Sequence, residues 1–474
     1  MQARAGSPFC GVLDALGPPR LTANVSPGNG PKLQPTTKPH QTTNHLRASS
    51  SNSTTEFYLT LTTMHLQYFA LLLSCAILPL RAEDQQSISP ALVGALRKSG
   101  LPTAAESVTI SLESTIWGFT VEVHIDRKPV QLLLDTGAAS TLLSPEAALK
   151  LGLKAKEGSE NGASSAGGQV VTRRALTKRL SLGDAWTENE PVLVSEMIPG
   201  LDGLLGVSTL AEWDVRIDPS TKKLTLFSAG KAPHLEGETT LPLTCKLVNP
   251  EASASNPQGF RMMNLSVPVR VGNHELTAIP DTGFGGIFQL SSVLMGKFAP
   301  EAMKEAQPGL ITGINLTGKT VTRKAKLAEF TFGPDTVRGL TTDLIDATPG
   351  TSNERQGLIG LKLLRHYVMT FRFAAGELRL KPLGTVQEIT RTSTAGIKMG
   401  PDFKILSVEP DGPADKAGLR AGDELLEIEN HPLKTMKPEE LAAFKRLPPG
   451  SIVKLRYRRG ESNPVETNLV LVKE

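Results

Sequence analysis

The chain has 474 residues, enough for about three domains. Lys and Arg number 51 against 47 Asp and Glu, a formal net charge of +4, and aromatics are only 5% of the chain. That balance argues against nucleic acid as a partner, since there is neither a strongly basic surface nor an aromatic stacking platform. The three cysteines, Cys10, Cys75 and Cys245, are far apart and form no metal-ligand spacing with the eight histidines, so no metal or other cofactor is expected.

Residues 1–63 are rich in Ser, Thr, Asn and Pro and poor in apolar residues. They cannot bury enough surface to fold and are expected to be disordered, if translated at all. At Met64 begins "MHLQYFALLLSCAILPLRAEDQQ". Its apolar stretch, 68–80, is short for a membrane span and ends in Leu80-Arg81-Ala82, a small-residue cleavage pattern. Met64 therefore reads as the start, 64–82 as a signal peptide, and the mature protein as exported, periplasmic or secreted. Two alternatives stay open. Leu72-Leu73-Ser74-Cys75 resembles a lipobox, which would attach a lipid to Cys75, and the segment could also remain uncleaved. Membrane contact is expected only in those two cases. Cleavage after Ala82 leaves Cys245 as the one thiol, with no internal disulfide.

An internal duplication follows. "VEVHIDRKPVQLLLDTG", ending at Gly137, aligns without a gap on "VPVRVGNHELTAIPDTG", ending at Gly283. "VTRRALTKRLSLG" (171–183) matches "VTRKAKLAEFTFG" (321–333), and "GLLGVSTLAEW" (203–213) matches "GLIGLKLLRHY" (357–367). "KKLTL" (222–226) over "GELRL" (376–380) closes the match. Four blocks in the same order define two units, 105–228 and 240–383, linked by "SAGKAPHLEGE" (228–238), rich in Gly, Pro and charge.

Within each unit the pattern is mostly strand. "FTVEVHI" and "LSVPVRV" alternate with period two. Asp126-Arg127-Lys128-Pro129 and Gly272-Asn273-His274 supply hairpin turns. "SPEAALKLGL" predicts a helix with Ser144 as N-cap and Pro145 at its first position, with a weaker counterpart around 291–306. Residues 159–183 and 309–332 read as hairpins with glycine-rich, mobile tips.

Each unit leads an apolar run into Asp-Thr-Gly: Asp135-Thr136-Gly137 and Asp281-Thr282-Gly283. One such triplet reads most simply as a strand-ending turn. Two, on units related by a pseudo-twofold axis, can meet. Asp135 and Asp281 would then face each other across a shared water, and carboxylates that close hold one proton between them. The ionised one takes a proton from water while the protonated one hydrogen-bonds a scissile carbonyl. Thr136 and Thr282 would hydrogen-bond across the axis. Gly137 and Gly283, lacking Cβ, would let backbone N–H groups approach the carboxylates.

Asp-Thr-Gly-Ala after an apolar lead, followed some 70 residues later by apolar-apolar-Gly, resembles the retropepsin-like aspartic peptidases. The second motif half is Leu204-Leu205-Gly206 in one unit and Leu358-Ile359-Gly360 in the other. The resemblance covers roughly 110–382, and the chain resembles bacterial members in which two units are fused. It implies a mainly β fold of two closed β-barrel units, an aspartic endopeptidase activity on peptide or protein substrates, and a monomer with an internal pseudo-dimer. Pro280 before Asp281, and Phe284-Gly285-Gly286 where the first unit has Ala138-Ala139-Ser140, depart from the pattern, so the second turn is expected to be the looser one.

The remainder, 384–474, contains "SVEPDGPADKAGLRAGDELLEIEN" and resembles a bacterial PDZ domain, a small α+β module. The resemblance implies that Gly396, Ile397, Lys398 and Met399 form the loop that holds a C-terminal carboxylate through backbone N–H groups. The adjoining strand would pair with the incoming peptide, beside a helix at 437–446.

Other residues carry simpler readings. His124, His274 and His366 sit in strand or repeat positions and read as packing or surface groups. No His-Glu-x-x-His or Gly-x-Ser-x-Gly motif occurs. Arg173, Arg174, Lys178 and Arg179, echoed by Arg323, Lys324 and Lys326, read as a solvated strand face, with a preference for acidic substrates as the sharper alternative. Two functional alternatives remain beside the peptidase: a non-catalytic peptide-binding scaffold on the same fold, and a peptidase whose units pair with those of another chain.

Overall fold

The computed structural model describes residues 99–102, 106–115, 117–156, 160–163, 169–196, 200–247, 262–315, 318–345, 357–391, 393–400, 402–437, 440–441, 444 and 447–473. The expectations for 1–63, for the signal segment 64–82 and for Cys75 lie outside the described residues. So do the first hairpin tip, 164–168, part of the second, 316–317, and much of the expected helix at 437–446.

The fold is mainly β. The alternating segments form antiparallel hairpins, Phe119–Ile125 with Lys128–Leu134 and Met263–Val271 with His274–Asp281. In the first, Val121, Val123 and Ile125 are fully buried while Glu122 is exposed, as period two requires. The turns are tighter than expected. Asp126 and Arg127 alone close the first hairpin, at φ of 49° and 70°, the mirror-image geometry that suits the twist of paired strands. Pro129 and His274, expected in turns, are strand residues opposite His124 and Val271.

The apolar-apolar-Gly segments slot in beside these hairpins. Gly203–Leu205 runs parallel to Lys128–Leu134, and Gly357–Gly360 parallel to His274–Asp281. Each lies antiparallel on its other side to the strand that follows the Asp-Thr-Gly turn, Leu142–Leu143 or Phe288–Ser291. Pro145–Leu151 is the expected helix. Ser144 Oγ accepts from Ala147 N–H at 3.0 Å, and Gly152 ends the helix at a φ of 79°. Its counterpart is split into Ser292–Phe298 and Pro300–Lys304.

Each unit is a curled sheet, and the two units also share a third one. Its strand order is Thr239–Pro242, Glu377–Pro382, Tyr367–Arg372, Asp214–Asp218, Lys223–Phe227, Ser107–Ser111. The repeat places a pseudo-twofold axis at its centre. Asp214–Asp218 pairs antiparallel with its repeat counterpart Tyr367–Arg372, with Val215 opposite Phe371. The second unit closes as expected from sequence: Met263–Val271 pairs with His274–Asp281 on one side and, through Arg270 and Val271, with Gly318–Phe332 on the other, so the path of strands returns to its start. One buried apolar core runs from Val121 and Leu132 in the first unit to Phe330 and Tyr367 in the second.

The connection 228–238 is held at the end of that sheet. Arg216 donates to Pro233 O, Arg372 to Gly230 O at 3.3 Å, and Arg379 to Ala232 O at 3.4 Å, while Asp214 Oδ2 accepts from Ala232 N–H at 3.0 Å. The segment 384–391, grouped by sequence with the C-terminal module, packs on the second unit instead. Val386 and Ile389 are buried in the common core, and Gln387 exchanges two 3.3 Å hydrogen bonds with the Arg338 backbone. The C-terminal module has its own core, which includes Ile405, Leu425, Val453 and Leu469. Asp423 is fixed there by both arms of the Arg459 guanidinium, at 2.8 Å each.

Candidate active site

The two Asp-Thr-Gly turns meet. Thr136 N–H donates to Thr282 Oγ1 and Thr282 N–H donates to Thr136 Oγ1, both at 3.1 Å. Each hydroxyl then donates to a carbonyl of the opposite unit: Thr136 Oγ1 to Pro280 O at 2.6 Å, Thr282 Oγ1 to Leu134 O at 2.7 Å. Both threonines are fully buried, so their polar atoms need partners, and each finds them across the pseudo-twofold. The acceptor carbonyls of Leu134 and Pro280 have no side-chain signature and were not singled out from sequence.

The reciprocity extends to the carboxylates. Asp135 Oδ1 accepts from the N–H groups of Gly137 and Ala138, and Asp281 Oδ1 from those of Gly283 and Phe284, all four at 2.9 Å. The second turn is thus as tightly bonded as the first. Pro280 does not loosen it, because the contact across the axis uses the proline carbonyl, not the N–H that proline lacks. The glycines do more than admit N–H groups. A Cβ on Gly137 would stand 2.3 Å from Asp281 Cγ, and one on Gly283 2.5 Å from Asp135 Cγ. Each glycine makes room for the carboxylate of the other unit.

Each carboxyl therefore lies against the glycine of the other unit, close enough for the two acids to act on each other's protonation. Burial pushes the Asp135 carboxyl up from its usual range, against the pull of the Gly137 and Ala138 N–H groups. Burial raises the Asp281 carboxyl well above that range, and the charge of Asp135 raises it further. Two desolvated carboxyls this close favour a state with one shared proton.

The apolar-apolar-Gly segments support both turns from behind. Asp135 N–H donates to Leu205 O at 3.1 Å, Val207 N–H to Ala138 O at 2.9 Å, and Leu361 N–H to Phe284 O at 2.7 Å. A Cβ on Gly206 would be 2.2 Å from Ser140 O, and one on Gly360 2.2 Å from Gly286 O. Only glycine lets the chain pass that close. In the first unit a buried polar chain adds to this: Thr141 Oγ1 accepts from Gly206 N–H at 3.1 Å and meets Thr209 Oγ1 at 2.6 Å, and Thr209 donates to Glu190 Oε1 at 2.9 Å. These residues were missed in the sequence. The signal lay in the repeat alignment, where Thr141 faces Ile287 and Thr209 faces Leu363.

In the C-terminal module, Gly396 turns at a φ of 68° and Ile397–Met399 forms a strand against Ile405–Val408. The Gly396 N–H goes to Thr394 Oγ1 at 3.0 Å, and Gly396 O accepts from Glu409 N–H at 2.8 Å. By antiparallel alternation, Ile397 turns its N–H and C=O to the other edge, where no strand of the described residues pairs. Of the four expected loop residues, Ile397 and Met399 are the ones whose backbone groups this alternation leaves facing outward.

His124 stands 3.8 Å from Glu122 on a strand face, and His274 stacks on Phe298 at 4.4 Å between ring centroids. Among the described residues no group of three or more His, Cys, Asp or Glu could hold a metal ion, and no helix is long and apolar enough to cross a membrane.

This geometry defines a class: a β protein with paired aspartates on a pseudo-twofold axis, joined to a small module with an open strand edge. Residues 121–209 match the family model described as aspartyl protease, and residues 404–459 that of the PDZ domain. At those residues the chain therefore carries an aspartyl protease domain and a PDZ domain. Among solved structures it is similar to an aspartic proteinase from Irpex lacteus, at 15% identity over 60% of this chain and 99% of that one, with a TM-score of 0.39. It is also similar to a retropepsin-like aspartic protease from Rickettsia conorii, at 22% identity over 28% of this chain and 95% of that one, with a TM-score of 0.21. No curated protein matches the chain.

Proposed function

We propose that the chain is an aspartic endopeptidase in which Asp135 and Asp281, one from each unit, activate a single water. The observation that carries this reading is the reciprocal Thr136–Thr282 exchange, with each carboxyl seated over the glycine of the other unit beside it. An arrangement that buries and couples two acids is costly to stability, and such arrangements cluster at functional sites.

The ionised carboxylate takes a proton from the water, whose oxygen attacks the peptide carbonyl carbon. The protonated carboxyl gives its proton to the carbonyl oxygen, forming a neutral gem-diol. Collapse returns a proton from a diol hydroxyl to one carboxylate. The other carboxyl protonates the leaving nitrogen, and the dyad again holds one proton. Thr136, Thr282, Gly137 and Gly283 act by holding the carboxylates in register, not by touching substrate. In the same reading the PDZ domain adds the C-terminal end of a peptide to the open edge at Ile397, the molecule works as a monomer with an internal pseudo-dimer, and the segment 64–82 directs its export.

The test is cleavage of denatured casein by the chain, with and without a statine-type peptide that mimics the gem-diol. Asp135→Asn and Asp281→Asn should each abolish cleavage while leaving the fold intact. Retained turnover in Asp281→Asn alone would favour pairing of Asp135 with another chain. No cleavage by the wild type would leave the non-catalytic scaffold.

A further inference from the structure

The two halves of the site share one backbone and differ in one side chain. Ala138 and Phe284 occupy the same place in the repeat, directly after Asp-Thr-Gly. Both donate N–H to their aspartate at 2.9 Å, and both accept at C=O from the residue after the apolar-apolar-Gly segment. Both side chains are half-buried beside the dyad. Only the group on Cβ distinguishes them, a methyl hydrogen set against a phenyl ring.

On the first unit's side, Ala138 lies on an apolar wall that is separate from the main core. Leu133, Leu142 and Leu204 form its base, and Trp117 and Met262 stand half-exposed at its margin. Met262 reaches it from the second unit, because Met263 N–H donates to Ala139 O at 2.9 Å. On the second unit's side, the Phe284 ring lies across Gly286 and beside Gly360. A Cβ on Gly286 would be 2.2 Å from Phe284 Cζ, and one on Gly360 2.7 Å from Phe284 Cδ1. The first unit has Ser140 where Gly286 stands. Phe284 and Gly286 are therefore a matched pair: the glycine vacates the space that the ring takes.

An extended peptide with its scissile carbonyl at the dyad directs successive side chains to opposite faces, about 3.3 Å apart along the chain. The two residues flanking the scissile bond then face one unit each. We propose that Phe284 sets the specificity of the cleft, so that the favoured substrates carry one bulky apolar and one small residue at the scissile bond. The bulky residue meets the wall at Ala138, and the small one meets Phe284. This rests on the peptidase reading above and adds to it the class of sequence cut.

The test uses three peptides with identical flanks and Leu–Ala, Ala–Leu or Leu–Leu at the scissile pair, with kcat/KM measured for each. Wild type should cut Leu–Leu at least tenfold less efficiently than the better mixed peptide, a discrimination of the size that pocket filling gives. Phe284→Ala should raise the ratio of Leu–Leu to mixed cleavage at least tenfold, which a purely structural role would not do. Phe284→Leu should raise it partly, and serves should the alanine variant fail to fold. The double variant Ala138→Phe/Ser140→Gly, which transplants the second turn onto the first, should depress cleavage of all three. Wild type that cuts Leu–Leu as well as the mixed peptides, or an unchanged ratio in both Phe284 variants, overturns the proposal and leaves the peptidase reading standing. Absence of all cleavage, with casein also intact, overturns both.

Discussion

Replacing Thr282 by Val tests how the two units are locked. The change is nearly isosteric and removes one hydroxyl, which donates to Leu134 O at 2.7 Å and accepts from Thr136 N–H at 3.1 Å. Both partners are main-chain groups beside fully buried threonines, so each is left without its bond and away from water. An orphaned buried polar group costs about 1–3 kcal/mol, so two give about 2–6 kcal/mol. That is a large part of a typical domain stability of about 5–15 kcal/mol. Thr282→Ser keeps the hydroxyl and loses one methyl, for about 1 kcal/mol. Urea unfolding followed by tryptophan fluorescence isolates the effect, since Trp117, Trp186 and Trp213 all lie in the first unit and none in the PDZ domain. At an m-value of about 3 kcal/mol/M, the midpoint should fall by roughly 1–2 M in Thr282→Val and by about 0.3 M in Thr282→Ser. Cleavage should be lost in the valine variant and retained in the serine one. Equal midpoints for the two variants would refute the claim that the hydroxyl, and not the side-chain volume, joins the units.

Five further outcomes follow from the structure. Cleavage should be bell-shaped in pH, failing where the dyad binds two protons and where it binds none, and Asp281→Asn should abolish it. Because the folded carboxyls are raised, the stabilising contribution of the pair is fully present below the unfolded carboxyl pKa of about 4 and is lost as pH rises through the folded value. Asp281→Asn should therefore flatten the dependence of the urea midpoint on pH above about 4. Gly360→Ala forces a Cβ to 2.2 Å from Gly286 O; it should cost about 1–3 kcal/mol by urea unfolding and remove activity. In the PDZ domain, burial works against the Asp423 carboxylate, but Arg459 and the Arg420 N–H outweigh it and hold its pKa low. Its contribution is present above an unfolded pKa of about 4 and fades as pH falls through the folded value, so Asp423→Asn should destabilise the PDZ domain at pH 7, by amide exchange of 424–428, and progressively less as pH falls below about 4. Burial pushes the Cys245 thiol up to about 12; iodoacetamide at pH 8 should label it only after urea unfolding.

Much of the candidate site was legible in the sequence because it is local and repeated. Period two in "FTVEVHI" specified a half-buried strand, Ser144 and Pro145 specified a helix start, and the ungapped repeat of Asp-Thr-Gly with Leu-Leu-Gly or Leu-Ile-Gly named Asp135, Asp281 and their threonines. Those signals depend on neighbours a few residues apart, where side-chain direction and turn chemistry decide the outcome. The shared six-stranded sheet, the carbonyls of Leu134 and Pro280 as cross-unit acceptors, the Glu190–Thr209–Thr141 chain and the burial of Val386 and Ile389 against the second unit were not legible. Each joins groups more than a dozen residues apart, and a backbone carbonyl carries no residue identity to read. Pro280 shows the difference most directly. In the sequence it weakened the second turn, because proline lacks an N–H; in the tertiary structure the bond that matters runs to its C=O. The residue type determined which group was missing, and only the packing of the two units decided which group was needed.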